Sequence, residues 1–97
     1  MIVETPEKPW TVYAHIAPNG KMYVGITSQK PEVRWRDGLT GYRENEHLCN
    51  AIRKYGWDNF QHEIIASGLT HDEACNMEKL LISKLDLTNR EHGYNKS

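Results

Sequence analysis

This chain has little that would staple a fold covalently or through a metal. Its 97 residues include two cysteines, Cys49 and Cys75, neither with a Cys-x-x-Cys companion, and five histidines, at positions 15, 47, 62, 71 and 92, without metal-ligand spacing. A disulfide framework and a zinc site are therefore not indicated. Both thiols fall in expected helices and read as buried and free. No apolar run approaches the roughly 20 residues of a membrane span, and the first residues lack the basic-then-apolar pattern of a signal peptide. A cytoplasmic protein without a membrane partner is the default expectation. There is no charge excess either: twelve Lys and Arg stand against thirteen Asp and Glu, a net charge of −1. With 38% hydrophobic and 26% charged residues the composition is that of an ordinary globular protein. The length allows one small domain, not two, and shows no internal repeat, linker or separate recognition module. Nothing in it fixes an oligomeric state.

The charge becomes informative once it is divided. Residues 21–54 carry seven Lys and Arg against four Asp and Glu, a local balance of +3, while residues 1–20 carry −1 and 55–97 carry −3. The middle third, with Lys21, Arg34, Arg36, Arg53 and Lys54, is the natural phosphate-facing side of a nucleic-acid-binding protein. The excess is small, so tight non-specific binding by this domain alone is not expected.

Met1 to Pro9 reads as an extended lead-in. Asn19-Gly20 between two alternating runs predicts a type I′ hairpin, with strands over Trp10–Ala17 and Lys21–Thr27. Pro31 starts a short helix that Gly38 ends, and Thr40 to Glu44 is a loop. Asn45 caps a helix whose Leu48, Ala51, Ile52 and Tyr55 form an i, i+3, i+4, i+7 stripe, and Gly56 stops it. Asn59 to Ala66 reads as a third strand. Thr70-His71-Asp72-Glu73 is a capping box opening the longest helix, to about Leu85. The order β-β-α-α-β-α predicts an α+β fold, a small three-stranded, mainly antiparallel sheet flanked by three helices.

Alternation places Tyr13 with His15 on one face of the first strand, and Lys21, Tyr23 and Gly25 on one face of the second. Two phenols and an ammonium can then converge on one surface, or the tyrosines are a half-buried aromatic pair. Glu78 falls inside the apolar arc of Ala74, Met77, Leu81, Ile82 and Leu85 at 100° per residue. A carboxylate there must be salt-bridged, protonated or bound to a cation such as Mg²⁺ or Mn²⁺. Arg34 can reach the tyrosine face, where its planar fork suits a phosphate, or it is a solvated surface residue like its neighbour Arg36.

Thr11-Val12-Tyr13 and Tyr23-Val24-Gly25, followed by Arg34-Trp35-Arg36, the stretch Asn50 to Phe60, Met77-Glu78-Lys79 and Gly93-Tyr94-Asn95, resemble the GIY-YIG nuclease family in the family's order. The resemblance runs from Val12 to Asn95. It implies a DNA endonuclease with a single Mg²⁺ or Mn²⁺ held by Glu78, with Arg34 gripping the scissile phosphate. It implies Tyr13 as general base toward water, its phenolate stabilised by Lys21 and the metal, with Tyr23 assisting. Gly25 would permit close approach, and Asn95 would tie the C-terminus to the site. The first tripeptide departs from the family pattern, and Gly38 stands where many members carry a histidine four residues after the arginine. Either that histidine is dispensable here or His47 takes part, while His62 reads as a structural histidine. The alternative function is a non-catalytic nucleic-acid-binding or assembly module that keeps the fold.

Overall fold

The computed structural model describes residues 8–96, so most of the expected Met1–Pro9 lead-in lies outside the described residues. Strands β1 (Trp10–Ile16) and β2 (Met22–Thr27) form the hairpin. Its turn differs from the expected type I′. The Gly20 amide donates to the Ala17 carbonyl at 2.8 Å, and of the turn residues only Gly20 has positive φ, at +88°. Pro18 explains the difference: its ring holds φ near −65°, which suits the first corner of a type I turn and excludes type I′. Gly20 then takes the left-handed position that returns the chain to β2.

The third strand, β3 (Gln61–Leu69), starts two residues later and ends three later than expected. The sheet order is β2-β1-β3, antiparallel throughout. Tyr13 lies opposite Gly25 and His15 opposite Tyr23 in one pairing, and His15 lies opposite His62 in the other. A register shift between Val12 and Tyr13 against β3 interrupts the alternation there and leaves Ile64 and Ile65 both exposed.

Helices α1 (Pro31–Trp35), α2 (Leu39–Tyr42) and α3 (Glu46–Tyr55) and a 3₁₀ turn at Trp57–Asn59 separate β2 from β3. The short α2 lies where a loop is expected; its four residues carry no amphipathic signal, and the order is β-β-α-α-α-β-α. The Asn45 cap forms, its side chain accepting from the Leu48 amide at 3.1 Å. The Thr70–Glu73 capping box also forms and opens α4 (His71–Lys84).

Two apolar clusters sandwich the sheet. Tyr13, Tyr42, Leu48, Ile52 and Phe60 pack with α2 and α3 on one side. Val12, Val24, Ala74 and Leu87, with Met77, Leu81 and Ile82 of α4, pack on the other. Leu85 departs from the expected apolar arc: it caps α4 and is exposed. Cys49 is buried and free, its thiol against the Tyr42 carbonyl at 3.1 Å. Cys75 is free but only half-buried, because α4 covers a narrow sheet and turns part of its surface to solvent. Among the described residues no helix is long and apolar enough to cross a membrane.

Candidate active site

Beyond Asn45 the chain returns to the sheet at its far end. Gly93 bridges Met22 in parallel, and Asn95 docks on the outer edge of β2, its side-chain amide donating to the Val24 carbonyl at 2.8 Å and accepting from the Val24 amide at 3.0 Å. One side chain thus imitates a strand partner and satisfies an edge that would otherwise need water. Here the α4 layer meets the α1–α3 layer, and a cavity of about 570 Å³ opens between them. Tyr23 of β2, Arg34 of α1, Tyr42 of α2, Glu78 of α4 and Asn95 line it.

Arg34 is held from two directions. Its Nη1 donates to the Gly41 carbonyl at 2.6 Å, and its guanidinium lies over the Tyr42 ring, 4.5 Å from the centroid. The remaining N–H groups keep a fixed orientation and a permanent charge. Glu78 is half-buried, and burial pushes its carboxyl above the usual range, with Lys79 opposing. The expected alternative of a structural salt bridge is absent: among the described residues the ion pair is His92 with Asp86, at 3.1 Å.

Tyr13 does not line the cavity. It is fully buried, its ring centroid 6.5 Å from that of Tyr23 and its hydroxyl 3.0 Å from that of Tyr42. Its hydroxyl sits over Gly25, where a Cβ would come within 2.6 Å of the oxygen. Gly25 therefore makes room for Tyr13, the residue opposite it. Burial raises the pKa of Tyr13, Tyr23 and Tyr42 above the usual phenol value, while the Arg34 charge pulls all three down and Glu78 pushes Tyr13 and Tyr23 further up. A preformed phenolate at Tyr13 is thus disfavoured, and the nearby cation is Arg34 rather than the expected Lys21.

Other candidates lie elsewhere. Lys21 lines a separate hollow with Asn19, Met22, Leu87 and His92 rather than the cavity that Tyr23 lines. His47 lines a neighbouring hollow that shares Asn45 and Asn95 with the cavity; its ring stands 4.7 Å from that of Tyr94, and burial, then Arg90 and Lys21, hold its pKa down. Arg36 lines a shallow hollow beside Arg34 and Arg43. Arg53 and Lys54 are exposed in the last turn of α3.

Tyr42, Arg43 and Lys96 line the cavity without having been legible as site residues. No periodicity marks a four-residue helix, and the only hint for Tyr42 is an aromatic in a basic segment. Gly38 is also explained: it is buried with φ +84°, and a Cβ there would collide with the Trp57 ring. A histidine has no room at this position, and Tyr42, four residues further on, lines the cavity.

Residues 9–95 match the GIY-YIG catalytic domain. The chain belongs to the GIY-YIG family. It is also 36% identical over 66 residues to "Putative endonuclease segD" of Enterobacteria phage T4, an alignment covering 68% of this chain and 27% of that protein. The chain therefore spans about a quarter of that relative's length. No solved structure matches it.

Proposed function

We propose that this domain is a divalent-metal-dependent endonuclease that hydrolyses phosphodiester bonds of DNA. The observation that carries the reading is the convergence of Tyr23, Arg34, Glu78 and Asn95, from four separate segments, on one cavity. Their side chains are a phenol, a fixed cation, a carboxylate without a salt bridge and an amide, a set that a structural core has no reason to assemble. The name of the phage relative supports the same direction.

The residues present fit a hard divalent cation. A half-buried carboxylate with no salt bridge among the described residues, its charged form penalised by burial and only partly helped by Lys79, gains from such an ion. Among the described residues no cluster of three or more His, Cys, Asp and Glu could form an all-protein cage. Mg²⁺ needs none, since one or two carboxylates, waters and substrate phosphate oxygens complete its shell. Glu78 would hold the ion, and when bound it would supply positive charge to the phosphate and to the leaving oxygen.

The chain's own residues do the rest. Arg34 offers its free N–H groups to the scissile phosphate and stays fixed by Gly41 and Tyr42, so little order is lost in the transition state. Tyr13, buried behind the cavity wall with its hydroxyl beside Arg34, accepts the proton of the attacking water once substrate binding opens that wall, and Tyr23, at the wall itself, orients that water by hydrogen bonding. Arg43 and Lys96 add cationic lining for the DNA backbone.

The test is nicking of supercoiled plasmid with Mg²⁺ or Mn²⁺, with and without chelator, for wild type and Glu78→Gln. Metal-dependent cleavage by wild type, lost in the variant, is expected. DNA binding without cleavage under any metal would establish the non-catalytic module instead.

A further inference from the structure

Behind the cavity runs a continuous file of polar atoms. His62 Nδ1 lies 2.9 Å from His15 Nδ1, His15 Nε2 lies 2.8 Å from the Tyr42 hydroxyl, and that hydroxyl lies 3.0 Å from the hydroxyl of Tyr13. At the other end, His62 Nε2 lies 3.1 Å from the Trp57 carbonyl oxygen. His15 is fully buried, with the rings of Trp35 and Trp57 edge-on at 4.8 and 4.7 Å and Tyr23 stacked at 6.1 Å. Water has no place along this file.

Its hydrogens have only one arrangement while both imidazoles are neutral. A carbonyl oxygen can only accept, so His62 Nε2 carries that ring's single hydrogen and His62 Nδ1 is an acceptor. His15 Nδ1 must then donate to it, which leaves His15 Nε2 bare. In this arrangement the Tyr42 O–H donates to His15 Nε2 and, having no second hydrogen, Tyr42 accepts from the Tyr13 O–H, whereas a Tyr42 O–H aimed at Tyr13 belongs to the protonated file. A proton placed on His62 Nδ1 reverses every link. His62 then donates to His15 Nδ1, His15 Nε2–H donates to Tyr42, and the Tyr42 O–H turns toward Tyr13.

We propose that His62, His15 and Tyr42 form a proton relay that lets the neutral phenol of Tyr13 act as base, with His62 as the final acceptor. The proposal rests on the reading of Tyr13 as the group that takes the proton from water. As the water O–H bond breaks, a new O–H bond forms on the Tyr13 oxygen. The hydrogen already on Tyr13 passes to Tyr42, that of Tyr42 to His15 Nε2, and the Nδ1 hydrogen of His15 to His62 Nδ1. Four bonds to hydrogen break and four form; the hydroxide joins phosphorus, and one positive charge arrives at His62. His62 is only half-buried, on the edge strand, and from there releases the proton to solvent.

The relay answers the difficulty that burial creates. A phenolate at Tyr13 is disfavoured, but the file never requires one. Imidazole is the side chain whose ordinary titration falls near neutral pH, where a general base works best. The titratable and charged groups around the file are Tyr13 and His15 of β1, Tyr23 of β2, Tyr42 of α2, Glu78 of α4, whose charge acts on Tyr13, and Arg34 of α1, whose charge opposes protonation of His15. Asp58, in the turn that carries Trp57, is exposed, and Glu63 projects from the opposite face of β3. His62, His15 and Tyr42 act through Tyr13 and are positioning residues.

The direct test is ¹⁵N NMR of the imidazole nitrogens in the ¹⁵N-histidine-labelled chain, without metal or DNA. At alkaline pH His15 should be the Nδ1–H tautomer, the minor form of free imidazole, and His62 the Nε2–H tautomer. On acidification His15 should invert to Nε2–H in step with the appearance of a hydrogen on His62 Nδ1. An Nε2–H His15 at alkaline pH overturns the relay, whatever Tyr13 does. In cleavage assays His62→Leu should lower the rate roughly 10²-fold at unchanged DNA affinity and abolish the acid limb of the pH–rate profile. His62→Gln, a polar substitution that cannot take up a proton, should behave alike, and neither should add to the loss from Tyr13→Phe. Wild-type rate and profile in folded His62→Gln overturn the relay while leaving Tyr13 as base. Full activity in Tyr13→Phe overturns the Tyr13 reading and the relay's catalytic use together, even with the tautomers as expected.

Discussion

The hydroxyl of Tyr13 occupies the space that a Cβ on Gly25 would need, 2.6 Å from the oxygen and 2.7 Å from the ring carbon that bears it. The two residues are opposite each other in the β1–β2 register, so the second signature motif contains the slot for the first. Gly25→Ala should displace the Tyr13 ring and its link to Tyr42. The expected cost is about 1–3 kcal/mol, as for other insertions into a packed interior, seen as a melting temperature lower by roughly 5 °C or more. Cleavage should fall with it, and an unchanged melting temperature would mean that the ring has another place to go.

Glu78→Gln should remove metal-dependent cleavage while the fold stays intact, because the amide keeps the volume and loses the charge. Its effect on stability has a definite sign. Burial raises the folded-state pKa of Glu78 above its ordinary value of 4.5. Its contribution to stability is therefore present below pH 4.5 and lost as pH rises through the folded value. Without metal, the glutamine variant should melt slightly higher than wild type at pH 7, and this advantage should vanish near pH 4. A lower melting temperature at pH 7 would mean that the carboxylate has a favourable partner.

Arg34→Ala should cost on the order of 10²-fold or more in rate, as loss of a charge partner in the transition state does. Arg34→Lys should recover little, since an ammonium cannot both hold the Gly41 carbonyl and present a planar fork. Arg36→Ala, on an exposed residue outside the cavity, should change only affinity at low salt. Equal losses from Arg34→Ala and Arg36→Ala would identify a binding patch rather than a catalytic arginine.

Tyr13→Phe removes one oxygen and keeps the ring that packs beside Gly25. Turnover should drop by about 10² or more, with DNA affinity unchanged. Tyr23→Phe should be milder, because water at the cavity wall can replace a hydrogen-bonding helper.

His15 adds a stability prediction independent of activity. Burial, then His62 and Arg34, lower its pKa to about 3 from an ordinary 6.5. The unfolded chain binds this proton between those values and the folded chain does not, so stability is full above pH 6.5 and falls as pH drops toward 3. The loss should be on the order of a few kcal/mol. Thermal melts from pH 7 to 4 should show a steeper decline for wild type than for His15→Gln; parallel curves would mean that another group governs acid sensitivity.

Local chemistry was legible in the sequence wherever it alone decides structure. The Asn45 cap, the Thr70–Glu73 capping box and the Asn19-Gly20 hairpin all formed because each depends on neighbours within a few residues. The two tyrosine motifs, with Arg34, Glu78 and Asn95, were sufficient to name the family. The turn type is local too: Pro18, with its fixed φ at the first corner, selects type I over the type I′ that Asn-Gly alone favours.

What the tertiary structure decided was depth and company. Sequence periodicity cannot say that Tyr13 lies behind the cavity wall while Tyr23 faces it, because both sit on the same sheet face and differ only in what packs over them. It could not place Lys21 outside the site, since where the hairpin leads its side chain depends on the docked C-terminal segment. Nor could it join His62, His15, Tyr42 and Tyr13, which come from two strands and a helix too short to carry a pattern. Hydrogen-bond partners 47, 27 and 29 residues apart meet only after the sheet order is set. The residue types are written in the chain, but burial and proximity, which set their acidity and their proton donors, are properties of the packed fold.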